Sequence, residues 1–150
     1  DSTITVNTPK DAYELLYPGK VNLRSTAIVE GYQPNTEPDS TSSATITTYT
    51  GQEMTIELSR SKPGFLVISE MFYPEGWIAQ LDGERVDIHK TNFMVRGIQI
   101  PEGNHTLTLD FQPSSMSLGH KLSWFSFFIQ ILLSVFLIVS YIRDRNAQAV

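Results

Sequence analysis

The chain has 150 residues, with 11 Lys or Arg, 16 Asp or Glu, a formal net charge of −5 and 41% hydrophobic residues. This content of core-forming side chains excludes a disordered chain and suffices for one domain with an appendage. The absence of cysteine excludes a disulfide scaffold, a thiolate zinc site and a cysteine nucleophile, and the acidic balance argues against nucleic acid as a partner.

A short helix is the first predicted element, within residues 8–19. Thr8 suits the N-cap, Pro9 the first helical position, and Asp11 gives a spacing like that of a capping box. Pro18-Gly19 is expected to end the helix. Its apolar face consists of Ala12, Leu15 and Leu16.

Several strands are predicted after this helix. One covers residues 26–32, and a polar loop rich in Ser, Thr and Pro follows over 31–44. Met54, Ile56 and Leu58 alternate with polar residues, which indicates a half-buried strand. Residues 64–72 are almost continuously apolar, so we expect a strand in the centre of a sheet.

Two hairpins are predicted from the turn residues that separate apolar segments. Asp82-Gly83 is typical of a type I′ turn, which needs positive φ at both positions. Residues 101–104 separate a strand over 94–100 from a strand over 105–111. Short strands at this spacing are typical of an antiparallel β-sandwich. The predicted fold class is therefore mainly β, with a short N-terminal helix and one C-terminal transmembrane helix.

Residues 122–142 contain no Asp, Glu, Lys, Arg or His. At about 1.5 Å per residue such a helix is roughly 30 Å long, which matches the hydrocarbon core of a bilayer. A buried core helix is the less favoured alternative. We expect a domain over 1–121, a transmembrane helix over 122–142 in contact with the lipid bilayer, and a tail over 143–150.

The charges around this segment predict its orientation. Arg143 and Arg145 follow it, whereas Lys121 precedes it, and positive residues favour the cytoplasmic side. The C-terminus is therefore expected in the cytoplasm and residues 1–121 outside. Because the chain begins at Asp1 with no signal-peptide pattern, we expect a C-terminal piece of a larger polytopic protein, with a cleaved signal peptide as the alternative.

A polar stripe follows one face of the predicted transmembrane helix, at steps of three and four residues: Ser123, Ser126, Gln130 and Ser134. Small and polar residues gather where membrane helices meet, because Gln would otherwise lie unsatisfied in hydrocarbon. The stripe predicts packing against upstream transmembrane helices of the same protein.

The segment from Gly64 to Gly119 contains FLVISEMFYPEGW, LDG, TNFMVRG, IPEGNHTLTLDFQPSS and LGHKLS in that order. This order resembles the C-terminal region of YfhO-like bacterial membrane proteins, in which many transmembrane helices are combined with a terminal extracytoplasmic β-domain and a last helix. Glu75, between Pro74 and Gly76, resembles the variant of Bacteroidetes members.

The resemblance implies a process and a location. The family is regarded as related to membrane glycosyltransferases of the GT-C type, which use lipid-carried sugars outside the cytoplasm and have their catalytic acids in early loops. It implies that this part is an accessory or substrate-positioning domain in envelope glycan or glycolipid modification. The expected partner is a lipid-linked sugar or envelope glycan at the outer side of the bacterial cytoplasmic membrane. The alternative is a membrane-anchored surface binding or adhesion module without catalysis.

Four residues are candidate ligand contacts. Tyr73 and Trp77 flank a turn and could stack on a sugar, although Trp77 filling the core beside Ala79 and Leu81 is favoured. Asn92 lies in the matching TNFMVRG motif and Arg96 carries a charge on an apolar strand.

By alternation, Glu70 and Arg96 both lie on apolar strand faces, where opposite charges would be costly apart. We expect them to form a structural ion pair. The alternative is that Arg96 grips a phosphate or carboxylate of a substrate.

No metal site or cofactor is predicted, since His89, His105 and His120 lack the close spacing of metal ligands. No catalytic residue is predicted either, because no nucleophile elbow, phosphate loop, calcium loop or dinucleotide fingerprint occurs.

Overall fold

In a computed structural model, which describes residues 2–17 and 19–147, the chain forms two compact units, Asp1–Gln112 and Pro113–Val150. The second unit contains one long helix. The elements in chain order are β1 (Ser2–Val6), α1 (Pro9–Leu16), β2 (Thr26–Glu30), β3 (Ser43–Tyr49), β4 (Glu53–Arg60), β5 (Gly64–Met71), β6 (Trp77–Leu81), β7 (Glu84–Val86), β8 (His89–Thr91), β9 (Val95–Ile100), β10 (Gly103–Phe111) and α2 (Ser114–Ala147).

Two five-stranded sheets form the first unit, with strand orders β1-β2-β8-β9-β5 and β3-β4-β10-β6-β7. We call them sheet A and sheet B. Neighbouring strands are antiparallel except β1 and β2, which pair in parallel. The predicted fold class, a mainly β antiparallel sandwich with a short helix before it and an apolar helix after it, is confirmed.

Side chains from both sheets form one apolar core. Ile68, Ile98 and Ile100 come from sheet A, and Leu107 and Leu109 from sheet B. Met54, Ile56 and Leu58 of β4 are buried in the same core, which confirms the alternation predicted for that strand. Burial of this apolar surface is the main favourable contribution to folding.

Helix α1 has the predicted N-terminus. The Thr8 hydroxyl accepts a hydrogen bond from the Asp11 N–H at 3.2 Å and donates one to its carboxylate at 2.8 Å, and Pro9 is the first helical residue. The helix ends at Leu16, and Gly19 follows with φ +82°. Pro18, predicted to help end the helix, lies outside the described residues. Ala12 of the helix packs with Val6, Ile28, Leu15 and Leu16 in a second apolar cluster.

The first predicted hairpin is confirmed and the second is wrong. Asp82 (φ 53°) and Gly83 (φ 86°) join β6 to β7, as a type I′ turn requires. The segment 101–104 instead carries the chain from β9 in sheet A to β10 in sheet B. Strand β10 pairs with β4 and β6, so its apolar residues pack against those of β9 across the core. A Pro- and Gly-containing connection is compatible with both arrangements, and sheet packing decides between them.

Strand β5 lies at the edge of sheet A, so its predicted central position is wrong. The loop between β2 and β3 lies against its apolar outer face. The Tyr32 ring stacks on Phe65 with ring centroids 6.4 Å apart. Gln99 holds this loop, since its side-chain amide donates to the Asn35 carbonyl at 2.8 Å and accepts from the Asn35 N–H at 2.9 Å. Strands β1, β3 and β8 were not predicted.

Helix α2 contains a segment, Leu118–Ser140, that is long and apolar enough to cross a membrane. The helix begins at Ser114, before the predicted Leu122, and includes residues 143–147 of the predicted tail, whose last residues, 148–150, lie outside the described part. Within the polar stripe, the Ser134 hydroxyl donates to the Gln130 carbonyl at 2.8 Å. The domain limits at 121 and 142 and the helix-packing role of the stripe remain predictions.

A His–Asp pair ties the β6–β7 hairpin to β10. His105 Nδ1 lies 2.6 Å from an Asp82 carboxylate oxygen, and the other oxygen accepts the Thr106 N–H at 2.8 Å. His105 Nε2 lies 3.0 Å from the Glu102 carbonyl. The hydrogen bonds to Asp82 and Glu102 raise the pKa of His105, and the hydrogen bonds from His105 and Thr106 lower the pKa of Asp82.

This pair predicts a pH-dependent free energy of unfolding. Because folding raises the pKa of His105, its stabilising contribution is complete below the ordinary pKa and is lost as pH rises through the raised one. Because folding lowers the pKa of Asp82, its contribution is lost as pH falls through that lower value. In the full chain, urea unfolding from about pH 5 to about pH 9 should show a loss of stability toward alkaline pH that His105→Gln abolishes. His120→Gln, on α2, is the control, and an unchanged profile in His105→Gln would contradict the prediction.

Candidate functional site

Arg96 on β9 is the most unusual side chain of the sandwich. Its side chain is only 3% exposed, and among the residues that the structure describes it is the one charged residue that is buried. Burial of a guanidinium is costly unless its donors are satisfied. The surroundings of Arg96 are therefore a candidate functional site.

A bulge in β5 places the carboxylate of Glu70 near this arginine. The register between β5 and β9 shifts between Ile68 and Met71, so that Ile68 lies opposite Arg96 and Met71 opposite Val95. A bulge redirects side chains locally. Glu70 Oε2 lies 3.9 Å from Arg96 Nη2, and the Tyr49 hydroxyl donates to Glu70 Oε1 at 2.5 Å.

The hydrogen bonds of the guanidinium are incomplete. Nε donates to the Met71 carbonyl at 3.0 Å. Nη1 is buried and has no hydrogen-bond partner among the described residues. Burial lowers the pKa of Arg96 and the Glu70 carboxylate opposes this effect, but an arginine remains protonated in proteins.

Arg96 also lies over an aromatic side chain of the opposite sheet. Its guanidinium carbon is 4.0 Å from the centroid of the Trp77 ring, which is a cation–π contact. Trp77 packs against the apolar core as well, and its ring centroid is 5.2 Å from that of Phe111. Tyr73 is on the other side of Phe111, with centroids 6.2 Å apart. The sequence offered core packing and a place in the site as alternatives for Trp77. In the structure Trp77 packs against the core and also contacts Arg96.

Two contacts at this end of the sandwich link the sheets. Arg96 of sheet A contacts Trp77 of sheet B, and Glu70 of sheet A accepts from Tyr49 of sheet B. We refer to Tyr49, Glu70, Trp77 and Arg96 as the inter-sheet network. Glu70 raises the pKa of Tyr49, first through this hydrogen bond and also through its charge.

A cleft of about 140 Å³ opens beside this network. Its walls include the aromatic residues Tyr73 and Trp77, which were predicted as sugar contacts. Its charged lining residues are Arg85, Asp87 and Arg96. The cleft therefore combines aromatic faces with two cations and one carboxylate, an arrangement that can hold a small polar or anionic group.

Asn92 lies elsewhere. It has φ 47°, and its side-chain oxygen accepts from the Ile28 N–H at 2.8 Å while its own N–H donates to the Ile28 carbonyl at 2.7 Å. Asn92 thus attaches the β8–β9 turn to β2, and it is not among the residues that line the cleft. Its proposed ligand contact remains a prediction without support from its position.

Tyr49, Arg85 and Asp87 were not predicted as site residues. Tyr49 ends a strand that was not predicted, and its partner belongs to the other sheet. Arg85 lies opposite Gln80 in the predicted hairpin. The alternation of the strand does not distinguish it from other exposed charged residues. Only the packing of the two sheets brings Tyr49 to Glu70 and places Arg85 and Asp87 beside Arg96 at the cleft.

Comparison with known proteins gives one match. A family model described as "Bacterial membrane protein YfhO" matches residues 2–123, which covers the sandwich and the start of α2. The match confirms the resemblance found in the sequence. The comparisons with curated proteins and with solved structures gave no match.

The inter-sheet network predicts a specific effect of Glu70→Gln. The change removes the carboxylate that faces the buried guanidinium, and it should lower the free energy of unfolding by about 1–2 kcal/mol. This is less than for a fully buried pair, because Glu70 is 37% exposed. The pKa of Tyr49 should also fall toward its ordinary value, since Glu70 raises it.

Urea unfolding of the full chain in detergent and an NMR titration of the Tyr49 ring measure these two effects. Glu75→Gln removes a carboxylate from the neighbouring turn and is the matched control. Equal stability losses in the two variants, with an unchanged Tyr49 titration, would show that the network contributes nothing specific.

Proposed function

Because the chain belongs to the YfhO family of bacterial membrane proteins, we propose that it positions a substrate in the modification of cell-envelope glycans or glycolipids. In this proposal the sandwich is an accessory domain outside the cytoplasm, and catalysis occurs in another part of the protein. The ligand is a lipid-linked sugar or an envelope glycan. The cleft beside Arg96 is the observation that supports this function best.

The chemistry of the cleft suits a sugar-bearing ligand. Aromatic side chains such as Tyr73 and Trp77 present an apolar face together with a polar edge, and this combination suits the C–H and hydroxyl groups of a sugar ring. Arg85 and Asp87 offer hydrogen-bond donors and acceptors beside them. Tyr73 is 48% exposed, so its ring is accessible to a ligand.

The proposed orientation rests on the charges around the apolar helix. Arg143 and Arg145 follow the segment Leu118–Ser140, and basic residues collect on the cytoplasmic side of bacterial membrane proteins. The polar stripe, with Gln130 at its centre, is proposed to contact other transmembrane helices of the same protein. Within the described part of the chain, the Ser134 hydroxyl bonds the Gln130 main-chain carbonyl and the Gln130 side-chain amide has no hydrogen-bond partner, which suits this role.

The absence of cysteine allows a direct test of sidedness. Any cysteines outside these 150 residues are first replaced in the full-length protein. Ser40→Cys, in the exposed loop before β3, should then react with a membrane-impermeant maleimide added to intact cells. Ala147→Cys at the end of α2 should react only after the cells are permeabilised. The reverse labelling pattern would contradict the proposed orientation.

The glycan function is tested in the bacterium that encodes the protein. Deletion of the gene should remove a sugar-modified glycolipid or envelope glycan from the mass spectra of cell extracts, and the wild-type gene should restore it. Tyr73→Ala should restore at most about a fifth of the product, because loss of one aromatic ligand contact costs about 1–3 kcal/mol.

Tyr17→Ala is the matched control, since Tyr17 is an exposed tyrosine that does not line the cleft. Immunoblots of membranes should show equal amounts of both variants. An unchanged glycan profile in the deletion strain would overturn the proposed function. Full restoration of the product by Tyr73→Ala would show that the cleft has no role in the proposed function.

A further inference from the structure

The hydrogen bonds of the Arg96 guanidinium are incomplete within the described residues. A guanidinium carries five N–H donors, and a buried charged donor without a partner costs more than a neutral one. Here Nε has the Met71 carbonyl, whereas Nη1 has no acceptor among the described residues. Nine-tenths of buried polar groups in proteins have partners, so such an exception requires an explanation.

Glu70 does not supply the missing acceptor. Its distance of 3.9 Å from Nη2 exceeds the 2.7–2.9 Å that is usual for a charge-assisted hydrogen bond. The Tyr49 hydroxyl holds the other carboxylate oxygen at 2.5 Å, which directs the carboxylate toward Tyr49. The positive charge of Arg96 is therefore only partly compensated within the protein.

The cleft has an excess of positive charge. Arg85 and Arg96 line it together with Asp87, which is the one carboxylate among the lining residues that the structure describes. Its volume of about 140 Å³ corresponds to about four or five water molecules. One phosphate or carboxylate fits this space.

We propose that the cleft beside Arg96 binds one anionic group, a phosphate or a carboxylate, with Arg96 Nη1 as its hydrogen-bond donor and Arg85 as a second cation. The identity of the molecule that carries this group, a sugar-bearing envelope ligand, rests on the proposed function. The half-exposed Tyr73 lines the same cleft as Arg96. Glu70 competes with the anion for the guanidinium.

Binding of inorganic phosphate to the full chain in zwitterionic nanodiscs tests the proposal. The chain has two tryptophans, so Trp124→Phe leaves Trp77, in contact with Arg96, as the single fluorophore. At constant ionic strength, phosphate should change the Trp77 fluorescence saturably. Arg85→Gln should weaken binding about 5-fold, and Glu70→Gln should strengthen it at least about 3-fold, because the competing carboxylate is removed.

Lys62→Gln is the control for removal of an exposed charge outside the cleft. A second arm uses nanodiscs that contain phosphatidic acid in phosphate-free buffer. A change in the Trp77 signal in this arm identifies a lipid headgroup as the source of the anion, and a change only with inorganic phosphate identifies a free group. Both results support the anion site.

Three results would overturn the inference: no saturable response in either arm, equal weakening by Arg85→Gln and Lys62→Gln, or weaker binding in Glu70→Gln that still unfolds cooperatively. Arg85→Gln changes an exposed residue and keeps the test decisive if Glu70→Gln fails to fold. A changed glycan profile in the deletion strain together with no phosphate response would refute this inference alone. The opposite pair of results would refute the proposed function alone.

Discussion

A single buried guanidinium constrains one end of the sandwich. Arg96 extends from sheet A onto the ring of Trp77 in sheet B, and its Nε bonds the Met71 carbonyl beside the β5 bulge. Removing such a group from water costs several kcal/mol, which apolar packing alone does not return. The bulge, the Trp77 ring and the Glu70–Tyr49 hydrogen bond are the compensations. At this end of the sandwich they add directional contacts between the sheets to the apolar core that both sheets share.

Local patterns predicted the parts of the fold that local physics decides. The Thr8 cap, the Asp82-Gly83 turn and the alternation of β4 depend on residues adjacent in sequence, and all three are present. Arg96 could be singled out for a similar reason, because a charge on an otherwise apolar strand is conspicuous without any structure. Composition alone was sufficient to predict the long apolar segment of α2.

The errors concern interactions between segments distant in sequence. Residues 101–104 have the composition of a hairpin turn, yet they connect two sheets, because only long-range packing distinguishes these cases. The apolar outer face of β5 indicated a central strand, but the loop that covers it is held by Gln99, which is more than 60 residues away along the chain. The same kind of packing brings Tyr49 to Glu70 and Arg85 to the cleft. A site between two sheets therefore cannot be completed from either strand alone.

The two ionic clusters of the sandwich differ in a way that bears on function. In the His105–Asp82 pair, both ring nitrogens and both carboxylate oxygens have partners, so the cluster is complete and its role is structural. In the inter-sheet network, the carboxylate is shared between Tyr49 and Arg96, and one guanidinium nitrogen has no acceptor among the residues that the structure describes. A cluster that served stability alone would gain by completing these bonds, as the first one does. The incomplete cluster is also the one that borders a cleft with aromatic walls, and an anion entering that cleft would supply an acceptor for the guanidinium.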